Sequence, residues 1–231
     1  MNVLFDNAHA RHPAKTAVVM LPGAGDRAED FLKQGFVREL RNREIDVDVA
    51  AADASVDYYL SRELVVRLRE AVIDPLRARG VQRIWLMGIS LGGLGAVVYA
   101  LKHAGDVEGL LLIAPYLAAR GTVAKILAAG GLARWRPAAD DADAADDTEN
   151  ELLNWLGVYD AANPRLPRIH LAYGTEDRFS PASHLLAERL PADRIVTLAG
   201  GHDWLTWLRL WGCLLDRNVF SSTYARRGDD V

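Results

Sequence analysis

Arg83-Ile-Trp-Leu-Met-Gly-Ile-Ser-Leu-Gly-Gly-Leu-Gly-Ala-Val-Val-Tyr-Ala100 decides how the rest of this chain is read. Ile84 to Met87 is an apolar run with the length and composition of a buried strand. Gly88-Ile-Ser-Leu-Gly92 follows at once, and then an Ala/Val/Tyr segment of helical character. A strand that turns directly into a helix with a serine at the apex is a nucleophile elbow. Such a serine takes a strained backbone conformation that lifts its Oγ clear of the sheet. Gly88 and Gly92, two residues to either side of Ser90, carry no Cβ to obstruct the backbone that passes close by. The new helix aims its first N–H groups at the point where negative charge would develop. The plain alternative is a tight strand-to-helix turn without chemistry, so partners for the serine have to be found.

Outward from this stretch, strands alternate with helices. Thr16 to Leu21 is a buried strand that ends in Pro22-Gly-Ala-Gly-Asp26, and a helical pattern runs from about 28 to 43 with Asp26 placed to cap it. Ile45 to Val49 alternates like a strand near a sheet edge, and residues 1–14 form a lead-in or an edge strand. An amphipathic helix is expected over about 56–79, with Pro75 kinking it or starting a fresh turn. Leu110 to Ala114, Arg168 to Tyr173 and Ile195 to Leu198 are further strands, and helices follow over 181–190 and 204–218. Five or six strands interleaved with helices imply an α/β fold, a mostly parallel sheet covered on both faces. A single domain spanning 1–231 accommodates all of it.

Residues 116–163 interrupt that alternation and are expected to form a cap or lid over the functional end of the sheet, hinged near Gly130-Gly131. Tyr116, Trp155 and Tyr159 are the candidates to line a substrate pocket there; the alternative is that such aromatics anchor the segment to the sheet. The acidic tract at 140–147 lacks the turn glycine and spacing of a calcium loop and reads as a solvated face.

Three loops, each directly after a strand, can complete a site, which is where ligands sit on such sheets. Tyr173-Gly-Thr-Glu-Asp177 delivers an acid, with Glu176 as its neighbour and competitor. Ala199-Gly-Gly-His202 delivers a histidine after two glycines. The order Ser90, Asp177, His202 is that of a hydrolase triad on this architecture. His103, His170 and His184 lie within predicted helices or a strand, where neither loop nor strand end recommends them. Leu21-Pro-Gly-Ala-Gly25 can present the Ala24 N–H to an oxyanion, with the Leu91 N–H as the second donor. The same loop is no phosphate cradle, because neither Gly-x-Gly-x-x-Gly nor a following Gly-Lys-Ser/Thr is present.

The span from Thr16 to Trp207 resembles an α/β-hydrolase with a Ser-Asp-His triad. Gly-Ile-Ser-Leu-Gly-Gly matches the elbow of that family, and Gly174-Thr-Glu-Asp177 with Pro181 resembles its acid loop. Leu-Pro-Gly-Ala-Gly resembles its oxyanion turn, with Pro22 where the family commonly has a histidine. Gly-Gly-His-Asp-Trp-Leu-Thr-Trp is similar to the histidine loop of the branch that holds esterase D-like and enterochelin esterase-like proteins. The resemblance implies a serine hydrolase acting on a small-molecule carboxylic ester or thioester through an acyl-enzyme, with no metal or organic cofactor. An acyltransferase on the same triad and a non-catalytic binding protein on the same fold are the alternatives.

Composition narrows the class further. A net charge of −4 leaves no basic footprint for nucleic acid. Cys213 is the only cysteine, so no intramolecular disulfide forms, and its apolar neighbours mark it as a core thiol. His9 and His12 have no thiol or carboxylate cluster beside them, and no metal site is expected. With no signal-like or membrane-spanning stretch, a cytoplasmic protein is expected.

Overall fold

A computed structural model of the chain describes residues 1–137 and 147–221. Strands β1 (Val3–Asp6), β2 (Thr16–Leu21), β3 (Asp48–Ala52), β4 (Arg83–Ile89), β5 (Gly109–Ile113), β6 (Arg168–Gly174) and β7 (Ile195–Leu198) form one sheet in the order β1-β3-β2-β4-β5-β6-β7. All neighbours are parallel except β1, which runs antiparallel to β3. Strand order reverses between β2 and β4, because the chain steps from β2 to β3 on one side and from β4 onward on the other. That switch point opens a crevice at the carboxyl ends of the two strands.

Alternation along the strands builds a core on each face. Val19 and Leu21 of β2 and Leu86 of β4 face one cluster, with Leu68 and Val97. Val18 and Met20 of β2 and Trp85 of β4 face the other. There they meet Phe31 of α1 (Ala28–Lys33), Phe36 of α2 (Phe36–Asn42) and Trp211 of α10 (Trp204–Asp216). No helix among the described residues is long and apolar enough to cross a membrane.

Several elements depart from the pattern read above, each for a physical reason. The helix expected over 28–43 is two helices, broken at Gly35, whose left-handed φ of +89° starts α2 in a new direction. Asp26 does not cap α1. Arg27 is the cap residue, and its N–H is bound by Asp30 at 2.8 Å. The strand expected over 45–49 is β3, three residues later and near the sheet edge as expected, next to the edge strand β1. The β1 strand covers its free side, and Asp48 is buried there, accepting from the N–H groups of Ala8 and Ala14 at 2.8 and 3.0 Å.

The segment expected as one helix over 56–79 is α3 (Val56–Leu60), α4 (Leu64–Leu68), a π-turn over Arg69–Ile73 and α5 (Asp74–Ala78). Pro75 has no N–H to give the carbonyl of Ala71, and the widened turn lies just before it.

Residues 116–163 hold α7 (Arg120–Ala128) and α8 (Asp147–Val158). α8 is a crossover helix between β5 and β6 rather than a lid. Leu152 and Leu156 are fully buried in the core, and Glu151 pairs with Lys102 at the far end of α6 (Leu91–Lys102). Gly130 and Gly131 close the C-terminus of α7 through bonds to Leu127 and Ile126. The acidic tract lies outside the described residues apart from the backbone of Asp147, and so does the tail after Ser221.

Candidate active site

The β4–α6 junction is a strained turn. Ser90 sits at φ 51°, ψ −115°, a conformation that side-chain-bearing residues rarely adopt. Surrounding backbone holds it there. Its N–H bonds Ile113 O at 3.1 Å, and its carbonyl accepts from Gly93 N and Tyr116 N, both at 2.9 Å. A Cβ on Gly88 would run into the carbonyl of Gly92, and one on Gly92 would run into the carbonyl of Leu21. The two glycines are therefore the condition for β2, β4 and α6 to converge at the serine.

The acid and histidine loops are stitched to each other beyond β6 and β7. Thr175 N donates to Leu198 O at 2.8 Å and Glu176 N to Gly200 O at 3.0 Å. This brings Asp177 under His202. His202 Nδ1 lies 2.7 Å from Asp177 Oδ2, and His202 Nε2 lies 3.0 Å from Ser90 Oγ. The second carboxylate oxygen of Asp177 accepts from Phe179 N at 2.8 Å, so both oxygens are engaged. The Asp177 side chain is 1% exposed and that of His202 11%, which keeps water from competing for these bonds. Glu176 is exposed and has no part in the network. Phe179 and Trp207 meet the imidazole edge-on, at 4.8 and 4.9 Å between ring centres.

On the other side of Ser90 stands the turn that ends β2, closed by Asp26 N to Gly23 O at 3.2 Å. Gly23 is buried against the serine, with a Cβ built on it only 3.6 Å from Ser90 Cβ. Of the residues expected as oxyanion donors, Ala24 follows Gly23 in this turn and Leu91 opens α6 directly after Ser90. Tyr59 donates its buried hydroxyl to Leu91 O at 3.0 Å. No motif announced that contact.

Of the aromatic candidates, one is at the site. Tyr116 follows β5, bonds Ser90 O through its N–H, and meets Phe179 edge-on at 5.7 Å. Leu117 and Ala118, which follow it in the chain, pack with Val123, Ile126, Leu153 and Leu185 around a gap no larger than a water molecule. Trp155 and Tyr159 are not brought to the serine. Trp155 packs on Tyr159 at 5.6 Å, and the Tyr159 hydroxyl donates to Pro167 O at 2.8 Å and accepts from Ile169 N at 3.3 Å. Those groups lie at the amino end of β6, roughly 20 Å of strand away from the acid loop.

The remaining histidines serve elsewhere. His170 sits inside β6 against Trp85, where burial, helped by Arg194 and Arg168, pushes it down to about 4. His103 meets Tyr99 and Arg69, and His184 meets Tyr173. Among the described residues no group of three or more His, Cys, Asp or Glu side chains could hold a metal ion.

A serine, histidine and carboxylate in one chain, on loops after β4, β7 and β6 of a mostly parallel sheet, define an α/β-hydrolase of the serine-hydrolase class. The chain belongs to the Putative esterase family, whose sequence profile matches residues 13–209. It is an ester hydrolase by that membership. No curated protein matches it significantly.

Among solved structures it is similar to Est1E from Butyrivibrio proteoclasticus, with a TM-score of 0.66 and 16% identity over 94% of both chains. A ferulic acid esterase gives a TM-score of 0.61 and 13% identity over 95% of this chain and 98% of the other. The S-formylglutathione hydrolase of Staphylococcus aureus gives 0.58 and 13% over 89% and 81%. At such identities the likeness speaks for the fold.

Proposed function

We propose that Ser90, His202 and Asp177 act as a catalytic triad that hydrolyses carboxylic esters and thioesters through an acyl-enzyme. The observation that carries this reading is the unbroken chain from Ser90 Oγ through His202 to Asp177 Oδ2, at 3.0 and 2.7 Å. Ser90 Oγ attacks the acyl carbonyl as its proton passes to His202 Nε2. Asp177 holds the imidazole in the tautomer that leaves Nε2 free and stabilises the imidazolium that forms. The N–H groups of Ala24 and Leu91 receive the oxyanion. His202 then gives its proton to the departing alcohol or thiol. Water, deprotonated by the same nitrogen, cleaves the acyl-enzyme and frees the acid and Ser90.

Tyr116, bonded through its N–H to Ser90 O and edge-on to Phe179, is the wall of the acyl site in this reading. A thioester belongs among the substrates to be tried because one structural neighbour is an S-formylglutathione hydrolase.

The test is covalent labelling with a small fluorophosphonate, beside hydrolysis of p-nitrophenyl esters and acyl thioesters of graded chain length. Wild type is expected to be labelled at Ser90 and to turn over short esters. Ser90→Ala is expected to fold, escape labelling and lose activity by at least about a thousandfold. Labelling at another residue, or full turnover by Ser90→Ala, would overturn the assignment.

A further inference from the structure

The turn after β2 carries a carboxylate that the triad does not use. Asp26 is not spent on α1, since the first N–H groups of that helix go to other acids. Arg27 N is bound by Asp30 at 2.8 Å and Ala28 N by Asp53 at 2.7 Å. The Asp26 side chain turns back over Gly23 instead. A Cβ built on Gly23 would meet Asp26 Oδ2 at 2.9 Å and Ser90 Cβ at 3.6 Å, so carboxylate and serine lie against the same Cα.

The Trp204 side chain, two residues past His202, acts on Asp26, and its ring packs on Trp207, which meets the His202 imidazole. The charged groups acting on Asp26 are Asp30 and His202, so among the described residues no lysine or arginine neutralises it. Burial holds this carboxyl above the ordinary carboxylate range, opposed by Trp204 and by His202.

This carboxylate lies beside Gly23 and Ser90, within the influence of Trp204 and His202 from the histidine side of the site. His202 Nε2 must reach the departing oxygen or sulfur to protonate it, so the leaving group is held on that same side. A negative charge fixed there, partly shielded from water, attracts a cation on the leaving group and repels an anion.

We propose that Asp26 makes this hydrolase choose its leaving group by charge, favouring alcohols and thiols that carry a cation and rejecting those that carry a carboxylate. The proposal rests on hydrolysis at Ser90 as read above. Coulomb attraction across a site of this size, discounted for partial exposure, corresponds to roughly fivefold to tenfold between a cationic and an anionic group.

The test uses three thioesters with one acyl group: butyrylthiocholine, S-ethyl thiobutyrate and S-butyryl mercaptoacetate, followed by thiol release. Intrinsic reactivity differs among them but cancels when each ratio is compared between variants. Asp26→Asn, which keeps the shape of the side chain and removes its charge, is expected to lower the cation-to-anion ratio of kcat/KM about fivefold to tenfold. Asp26→Glu is expected to retain most of it, and about 0.5 M salt to shrink the difference in wild type.

A ratio that Asp26→Asn leaves unchanged, while the neutral thioester is cleaved, overturns the charge selection alone. Absence of neutral-thioester cleavage and of fluorophosphonate labelling overturns the hydrolase reading beneath it.

Discussion

Tyr59 donates its hydroxyl to the carbonyl of Leu91 at 3.0 Å, so the residue that follows the serine is fixed from α3 as well as from its own helix. The Tyr59 ring is buried against α6, and a Cβ on Gly95 would press on its oxygen at 2.5 Å. Tyr59→Phe keeps the ring and leaves Leu91 O to its own helix. It is expected to cost about 0.5–1.5 kcal/mol of stability in urea unfolding, the ordinary net worth of one hydrogen bond. Because the Leu91 N–H is a proposed oxyanion donor, kcat for a short ester is expected to fall with KM little changed. A variant as stable and as active as wild type would show that Leu91 is held by α6 alone.

The carboxylate that orients His202 is the buried one of the two adjacent acids. Asp177→Asn presents an amide to Nδ1 and favours the wrong tautomer, so the rate is expected to drop by about 10³- to 10⁴-fold with the fold intact. Glu176 is exposed, and Glu176→Gln is expected to stay within about twofold of wild type. Steady-state kinetics of the two variants decide the matter, and the opposite ranking would move the acid to Glu176.

His170 gives the fold a pH limit of its own. It titrates near 4 in the folded chain, driven down first by burial and then by Arg194 and Arg168, against about 6.5 when unfolded. Between those values the unfolded chain binds a proton that the folded chain refuses. The contribution of the neutral imidazole is therefore complete above pH 6.5 and is lost as pH falls toward 4. At 1.4 kcal/mol per pH unit this amounts to roughly 3 kcal/mol. Urea titrations at pH 7 and pH 4.5 are expected to show a smaller acid loss in His170→Asn than in wild type. Equal losses in both would mean that carboxylates alone govern acid unfolding.

What was legible in the residues follows the same physics. Ser90, Asp177 and His202 stand on short glycine-bearing loops after apolar strands, and strand ends in a parallel sheet converge, so loop position alone located them. Asp26 was misread because an acid before a helix is ordinarily its cap, and nothing local revealed that Asp30 and Asp53 already filled that need. An apolar stripe makes a helix such as α8 pack, but a 3.6-residue period carries no information on which end of the sheet receives it. Trp155 and Tyr159 were placed at the wrong end for that reason.

That misplacement turns into a contrast between two aromatic residues. Tyr116 bonds Ser90 O and meets Phe179 beside His202, whereas Trp155 packs on Tyr159, which ties α8 to the amino end of β6. If the acyl chain passes Tyr116, then Tyr116→Ala is expected to shift the preferred p-nitrophenyl ester toward longer or bulkier chains. Trp155→Ala removes packing far from the site and is expected to cost about 2 kcal/mol or more in stability. At a temperature where it remains folded, it should leave the ranking of chain lengths as in wild type. A changed ranking in Trp155→Ala would mean that substrate reaches α8. An unchanged one in Tyr116→Ala would mean that the acyl chain leaves Ser90 by another route.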